Sequence, residues 1–125
     1  MKENQSSLWS PNEEIIKNSK LEFFCQHLEK KNLLKCGKNF NKLWKWSVKY
    51  PELFWSEVWD FTKIKGLKGK KIIKKHSIFY KNIFFPDSKL NYAENLLPKK
   101  NQDIALNFFS ESGIKKNITW KKLNE

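Results

Sequence analysis

Arginine is absent from this 125-residue sequence, although the chain carries 25 basic residues and a formal net charge of +12. Every basic residue is therefore a lysine. Arginine's planar guanidinium makes the bidentate contacts that read guanine edges and clamp phosphates, whereas lysine is a hydrated point charge on a flexible stem. The sequence thus argues against specific nucleic-acid recognition. The joint abundance of Lys, Asn and Ile also fits codon bias from an AT-rich genome, which explains much of the charge without a function.

Long apolar runs are also missing, and none approaches the roughly 20 residues that span a bilayer. The first residues, MKENQSSLW, lack the apolar segment of a secretory signal peptide. We therefore expect no membrane span and a cytoplasmic location. The content of 39% hydrophobic and 15% aromatic residues nevertheless predicts a folded domain with a core.

Cysteine and histidine are scarce, with two residues of each. Two thiols are too few for a disulfide framework. Cys25, Cys36, His27 and His76 are four potential zinc ligands, but they form no C-x-x-C or H-x-x-x-H pair. Neither histidine has the partner spacing of a catalytic triad. The sequence predicts no metal site and no catalytic residue; the histidines are expected to be surface or structural, and Cys25 a small buried hydrophobe.

Capping signals predict four short helices in the first half of the chain. Ser10-Pro11-Asn12-Glu13 combines a capping serine, a proline at the first helical position and a glutamate three residues after the cap. Ser19 and Glu22 repeat the arrangement and start a second helix. A third helix around 43–48 is expected to end before Pro51, which then begins a fourth.

Four of the six tryptophans lie within LWKWSVKYPELFWSEVWDF, residues 43–61. In the fourth helix Trp55 and Trp59 adjoin a row formed by Phe54, Val58 and Phe61, which makes an apolar face too wide for a half-exposed helix. Three interpretations are open: the tryptophans pack among themselves in an independent domain, they cover something larger, or they stack nucleic-acid bases. We expect the face around Trp55 and Trp59 to be exposed in the isolated chain.

The second half of the chain begins with KIKGLKGKKIIKK, residues 63–75, in which seven of thirteen residues are lysines. Because Gly66 and Gly69 break any helix, an exposed, mobile loop is predicted. Extended patches at 78–80 and 83–85 follow, then a turn at 86–88 and a short helix in LNYAENLLP. DIALNFFSESGIKKNIT reads as a hairpin, and Thr119 as the cap of a last short helix.

The order of these motifs resembles the N-terminal region of acetoacetyl-CoA synthetase, in the AMP-forming, adenylate-forming acyl-CoA synthetase superfamily. The resemblance is carried by LWSPNEEIIKNSKLEFF at 8–24, LWKWSVKYPELFWSEVWDF at 43–61, FFPDSKLNYAENLL at 84–97 and ITWKKLNE at 118–125. LNYAENLL is the most specific of these motifs. Asp87 stands where the family usually has glycine, and Phe84 where it usually has tryptophan.

The resemblance implies a ligase that converts ATP, acetoacetate and CoA to acetoacetyl-CoA, AMP and pyrophosphate. ATP, Mg and CoA are implied for the full-length family. The family's phosphate loop, its ribose-binding acid and its catalytic lysine have no counterpart in this sequence. The run from Gly66 to Lys71 lacks the four-residue gap and the terminal Ser or Thr of a phosphate loop. No catalytic, cofactor-binding or metal residue is therefore assigned, and Tyr92 and Asn95 are expected to anchor the crossing from cap to main domain.

The predicted fold is a mainly α N-terminal cap of short helices, followed by a β-hairpin and the start of a helix that would open an α/β main domain. The expected divisions are a flexible N-terminus at 1–7, a cap region at 8–100 and a truncated start of the AMP-binding domain at 101–125. The expected function is non-catalytic and structural, with the remainder of the synthetase as partner. The alternative is a free-standing lysine-rich module that binds nucleic acid or anionic surfaces nonspecifically.

Overall fold

The computed structural model describes residues 9–37 and 39–125. The chain divides into two compact units, Met1–Lys63 and Ile64–Glu125. The described residues form six α-helices and two small antiparallel sheets, so the fold is mixed α and β. The predicted flexible segment 1–7 lies outside the described residues, and the predicted divisions at 8–100 and 101–125 stay predictions. Within the described part, no helix is both long enough and apolar enough to cross a membrane.

The described part of the first unit is helical, with helices α1 Glu13–Lys17, α2 Lys20–Lys30, α3 Phe40–Lys49 and α4 Pro51–Phe61. Two predicted starts are confirmed. The Ser19 hydroxyl accepts a hydrogen bond from the Glu22 amide at 3.1 Å, and Pro51 occupies the first position of α4. Proline suits that position because its missing N–H would have had no helical partner.

The predicted cap at Ser10 is wrong. Asn12 caps α1 instead, because its side-chain oxygen accepts a hydrogen bond from the Ile15 amide at 2.8 Å. Asparagine and serine are comparably good caps. With both residues within three positions, the sequence pattern could not decide between the two starts.

The core of the first unit joins α2 and α3 with the segment between them; its buried members are Phe24, Leu28, Cys36, Leu43 and Trp46. Side chains of α4 close over this cluster. The Phe24 ring meets the ring of Phe54 at 5.9 Å and that of Phe61 at 5.1 Å, both in edge-on arrangements. Such edge-on pairs add to the energy of burial alone. Helix α4 is thus held to α2 by aromatic packing.

The second unit contains β1 Ile73–Lys74, β2 Ile83–Phe84, α5 Tyr92–Leu96, β3 Ile104–Phe109, β4 Lys115–Thr119 and α6 Trp120–Leu123. β1 pairs with β2 and β3 with β4, both antiparallel. The predicted hairpin and its helix are confirmed. The Thr119 hydroxyl caps α6 by accepting a hydrogen bond from the Lys122 amide at 3.3 Å.

Two predictions for the middle of the chain are wrong. The lysine-rich run is not wholly an exposed loop, since Ile73 is buried and lies in β1. The extended patch predicted at 78–80 is instead a 3-10 turn, Phe79–Lys81. The turn forms because the amides of Lys81 and Asn82 bond back to the carbonyls of Ile78 and Phe79.

Gly66 and Gly69 allow the lysine-rich run to approach the segment 87–90 closely. Gly66 and Gly69 have positive φ angles of +148° and +77°. A Cβ on Gly66 would lie 2.6 Å from the Lys89 carbonyl oxygen, and one on Gly69 would lie 2.9 Å from the Asp87 Cβ. Because Gly69 lacks a side chain, there is room for the side chain of Asp87.

Candidate functional site

The tryptophans of residues 43–61 divide between core and surface. Trp46 and Trp59 are buried, whereas Trp44 and Trp55 keep 54% and 38% of their surface exposed. The expectation that Trp59 would be exposed is therefore wrong, because Trp59 is buried within the described part of the chain. Trp44, on the neighbouring helix, is more exposed than Trp55. The exposed large apolar residues of α3 are Phe40, Trp44 and Val48.

An open apolar cleft of about 380 Å³ lies between α2, α3 and α4. Its lining is almost wholly apolar and comprises Lys20, Leu21, Phe24, Phe40, Leu43, Trp44, Ser47, Phe54, Val58 and Phe61. The deeper walls, Phe24 and Leu43, belong to the core. The rim residues Leu21, Phe40 and Trp44 are exposed. We call this feature the α2–α4 cleft.

A charged cluster joins α2 to α4 within the same unit. The Glu57 side chain is buried, with the residue only 6% exposed, and its Oε2 accepts hydrogen bonds from Lys31 Nζ and from His27 Nε2, each at 2.7 Å. The His27 ring also contacts the rings of Phe24 and Phe61, at 6.2 and 5.6 Å between centroids. The His27 ring is thus held between a carboxylate and two aromatic rings of the helical unit.

The protonation of Glu57 follows from these contacts. Burial alone raises the pKa of Glu57, but the hydrogen bonds from Lys31 and His27 outweigh it, so that the pKa of Glu57 is lowered overall. Glu57 is thus a charged, paired carboxylate at neutral pH. Sequence reasoning missed this cluster, because Glu57 lies 30 and 26 positions from its partners. The available signal was a single acidic residue on the face that carries Phe54 and Phe61.

Replacing Glu57 with glutamine is expected to lower the free energy of unfolding by about 1.5–3 kcal/mol at neutral pH, the usual range for hydrogen bonds to a charged group. A carboxylate whose pKa is lowered by folding stabilises above its unfolded pKa, and this stabilisation is lost as the pH falls through the folded pKa. The two proteins should therefore converge in acid. Urea unfolding across pH measures the difference; Glu29→Gln, on the exposed side of α2, is the matched control. A pH-independent difference would contradict the assignment.

The two cysteines lie beside one another in the first unit, where Cys36 is buried and Cys25 is half-buried. Burial, with a hydrogen bond to Cys36, raises the pKa of the Cys25 thiol to about 12. A thiol in that state is a poor nucleophile and a poor metal ligand at neutral pH. In residues 9–37 and 39–125, no group of three or more His, Cys, Asp or Glu side chains is placed to hold a metal ion.

In the second unit, the Asn95 side chain bonds to the backbone of Lys65, while its predicted role at the crossing from cap to main domain stays a prediction. Its side-chain oxygen accepts a hydrogen bond from the Lys65 amide at 2.8 Å, and its Nδ2 donates to the Lys65 carbonyl at 2.9 Å. This pairing fixes α5 to the start of the lysine-rich run. The Tyr92 side chain is exposed, so its anchoring role is not confirmed.

Comparison with known proteins shows that the chain is similar to part of several CoA synthetases. The acetoacetyl-coenzyme A synthetase of Rhizobium meliloti (strain 1021) is 32% identical over 123 residues, which cover 93% of this chain and 18% of the relative. The acetoacetyl-CoA synthetase of Danio rerio is 43% identical over 81 residues, 59% of this chain and 11% of the relative. The malonamoyl-CoA synthetase of Penicillium aethiopicum is 29% identical over 96 residues, 70% of this chain and 13% of the relative.

The class that these relatives define is that of CoA synthetases. Within the class, most of the matched relatives are acetoacetyl-CoA synthetases, and the predicted resemblance to the N-terminal region of acetoacetyl-CoA synthetase is confirmed. The chain spans less than a fifth of the length of these curated relatives. No protein-family model matches the chain. No solved structure matches it significantly.

Proposed function

We propose that this chain is a non-catalytic, structural N-terminal region of an acetoacetate:CoA ligase, and that the α2–α4 cleft docks on the remainder of the synthetase. The observation that carries the proposal is the uncovered cleft in a chain related to synthetases more than five times longer than the stretch it matches. Exposed apolar surface of this kind is typical of an interaction site. The cleft is the place where the remainder would bind.

In this proposal the chemistry belongs to the rest of the ligase. The parent reaction joins acetoacetate to CoA with conversion of ATP to AMP and pyrophosphate, and ATP, Mg and CoA would bind outside this chain. The run from Gly66 to Lys71 supports this, because the space beside its two glycines is filled by the chain's own residues Asp87, Lys89 and Leu90. A phosphate loop needs that space for the nucleotide.

The hairpin β3–β4 and helix α6 are proposed to open the α/β main domain of the ligase. Both faces of the hairpin carry exposed apolar side chains, including Leu106, Phe108 and Phe109. A two-stranded sheet is marginally stable in water without something packed against it. Further strands or helices of the main domain would supply that packing.

The chain alone is expected to release no pyrophosphate from ATP in the presence of acetoacetate, magnesium and CoA. Addition of the chain should instead raise the turnover of a separately expressed partner, the part of the R. meliloti synthetase that the chain does not match. Pyrophosphate release measures both, with boiled chain as the control. Turnover by the chain alone, or no effect of the chain on its partner, would contradict the proposal.

The second candidate function is a lysine-rich module that binds anionic surfaces. One observation favours it: the chain has seven lysines and no acidic residue between Ile64 and Pro86. This charge is independent of the α2–α4 cleft, which belongs to the other unit. The two functions therefore do not exclude each other.

A further inference from the structure

The loop between β1 and β2 carries three consecutive exposed apolar residues at its tip. Phe79 and Tyr80 keep 84% and 79% of their surface exposed, and the adjacent Ile78 is exposed as well. Burying even one such aromatic ring removes much apolar area from water, so its exposure needs an explanation. We call Ile78, Phe79 and Tyr80 the apolar tip.

The apolar tip is held in place by a set of hydrogen bonds. The Asn82 side chain accepts from the His76 amide at 2.7 Å, and His76 Nδ1 accepts from the Ile78 amide at 3.0 Å. The 3-10 turn closes the tip, and β1 and β2 close its base through the pairs Ile73 with Phe84 and Lys74 with Ile83. The exposure of the rings therefore belongs to an ordered loop and not to a loose one.

Lysines flank the apolar tip on both sides. Lys74 and Lys75 precede it and Lys81 follows it, within the stretch from Ile64 to Pro86 that has no acidic residue. An apolar element beside a cluster of lysines has the two properties that peripheral membrane binding requires, because either signal alone binds weakly. Anionic headgroups supply the complementary charge.

Resting on the second candidate function, the binding of anionic surfaces, we propose that the β1–β2 loop docks this protein on an anionic lipid surface. Ile78, Phe79 and Tyr80 enter the boundary between headgroups and acyl chains, and the flanking lysines face the anionic headgroups. A lipid surface fits better than single-stranded nucleic acid for two reasons. Ile78 has no ring to stack on a base, and the absence of arginine removes the bidentate phosphate contact, whereas lysine suits a diffuse anionic surface.

Vesicle flotation of the full chain tests the proposal. Phosphatidylcholine vesicles with about 30 mol% phosphatidylserine should bind the protein, and pure phosphatidylcholine vesicles should bind it much more weakly. Binding should fall steeply between about 0.1 M and about 1 M salt, where the Debye length shrinks from about 10 to about 3 Å. Equal binding to both kinds of vesicle, or none to either, overturns the proposal.

Paired variants separate lipid insertion from base stacking. Phe79→Ser with Tyr80→Ser should weaken vesicle binding about tenfold or more, since two apolar side chains are lost. Phe79→Leu with Tyr80→Leu should keep most of the binding, because leucine is apolar but has no ring. Ile15→Ser with Ile16→Ser, two exposed apolar residues of α1 in the other unit, is the matched control and should bind like the wild type.

Two outcomes of this series overturn the proposal. The first is equal weakening by the tip and control serine variants, which would place the effect in the fold rather than in the tip. The second is that the protein binds an oligothymidylate more tightly than it binds vesicles, and that the leucine variant no longer binds this oligonucleotide. Circular dichroism of each variant verifies that the helices and sheets are retained.

Discussion

Replacing Trp46 with alanine is expected to lower the free energy of unfolding of the helical unit by about 3–5 kcal/mol, the usual range for truncating a buried tryptophan. Trp46 is buried in the core cluster and meets the Phe54 ring at 6.2 Å, so its removal opens a cavity beneath α4. The free energy of unfolding of a typical domain is about 5–15 kcal/mol in total. The variant should therefore be partly unfolded at physiological temperature.

Trp44→Ala is the matched control for this effect. Trp44 lies on the same helix, two residues away, but is exposed. Its truncation should therefore lower the free energy of unfolding by less than about 1 kcal/mol. Urea unfolding followed by far-ultraviolet circular dichroism gives both values. A loss at Trp44 as large as that at Trp46 would mean that the division of the tryptophans between core and surface is wrong.

Serine substitutions at the rim of the α2–α4 cleft should weaken docking and leave the stability of the chain almost unchanged. Phe40→Ser with Trp44→Ser is expected to weaken binding to the unmatched part of the R. meliloti synthetase by about a hundredfold or more. Large aromatic side chains dominate interface energies, at about 2 kcal/mol or more for each important residue, and about 1.4 kcal/mol is tenfold in affinity. Unfolding of the chain itself should change little.

Val48→Ser provides a sharp control for the docking variants. Val48 and Phe40 lie on the same helix and are both 64% exposed, but only Phe40 lines the cleft. Isothermal titration of the wild type, Phe40→Ser and Val48→Ser against the same partner compares them directly. If Val48→Ser weakens binding as much as Phe40→Ser alone, the cleft is not the docking surface.

Local chemistry explains why most element boundaries could be predicted from the sequence. A hydroxyl cap at Ser19 or Thr119 and a proline at position 51 act on amides within three residues, so the sequence neighbourhood contains all that decides them. Asn12 shows the limit of such rules. Ser10 and Asn12 are both good helix caps and lie within one turn, so the sequence pattern does not show which of them caps the helix.

Features that depend on distant residues could not be predicted. Glu57 is buried because His27 and Lys31 meet its carboxylate across two helices. Ile73 is buried within a lysine-rich run because β1 pairs with β2. In the candidate site, the sequence located the tryptophan-rich helices but assigned the exposed face to Trp55 and Trp59, since helical periodicity shows which residues share a face and not which face is covered.

The most direct test of the central claim is a titration of the chain with the part of the R. meliloti synthetase that it does not match, followed by sedimentation and by tryptophan fluorescence. We expect a one-to-one complex in which the emission of the chain shifts to the blue, and this shift should be lost in Trp44→Phe, which removes the exposed indole of the cleft. A chain that stays monomeric, with unchanged emission at saturating partner, would contradict the docking role and leave this protein a self-sufficient domain.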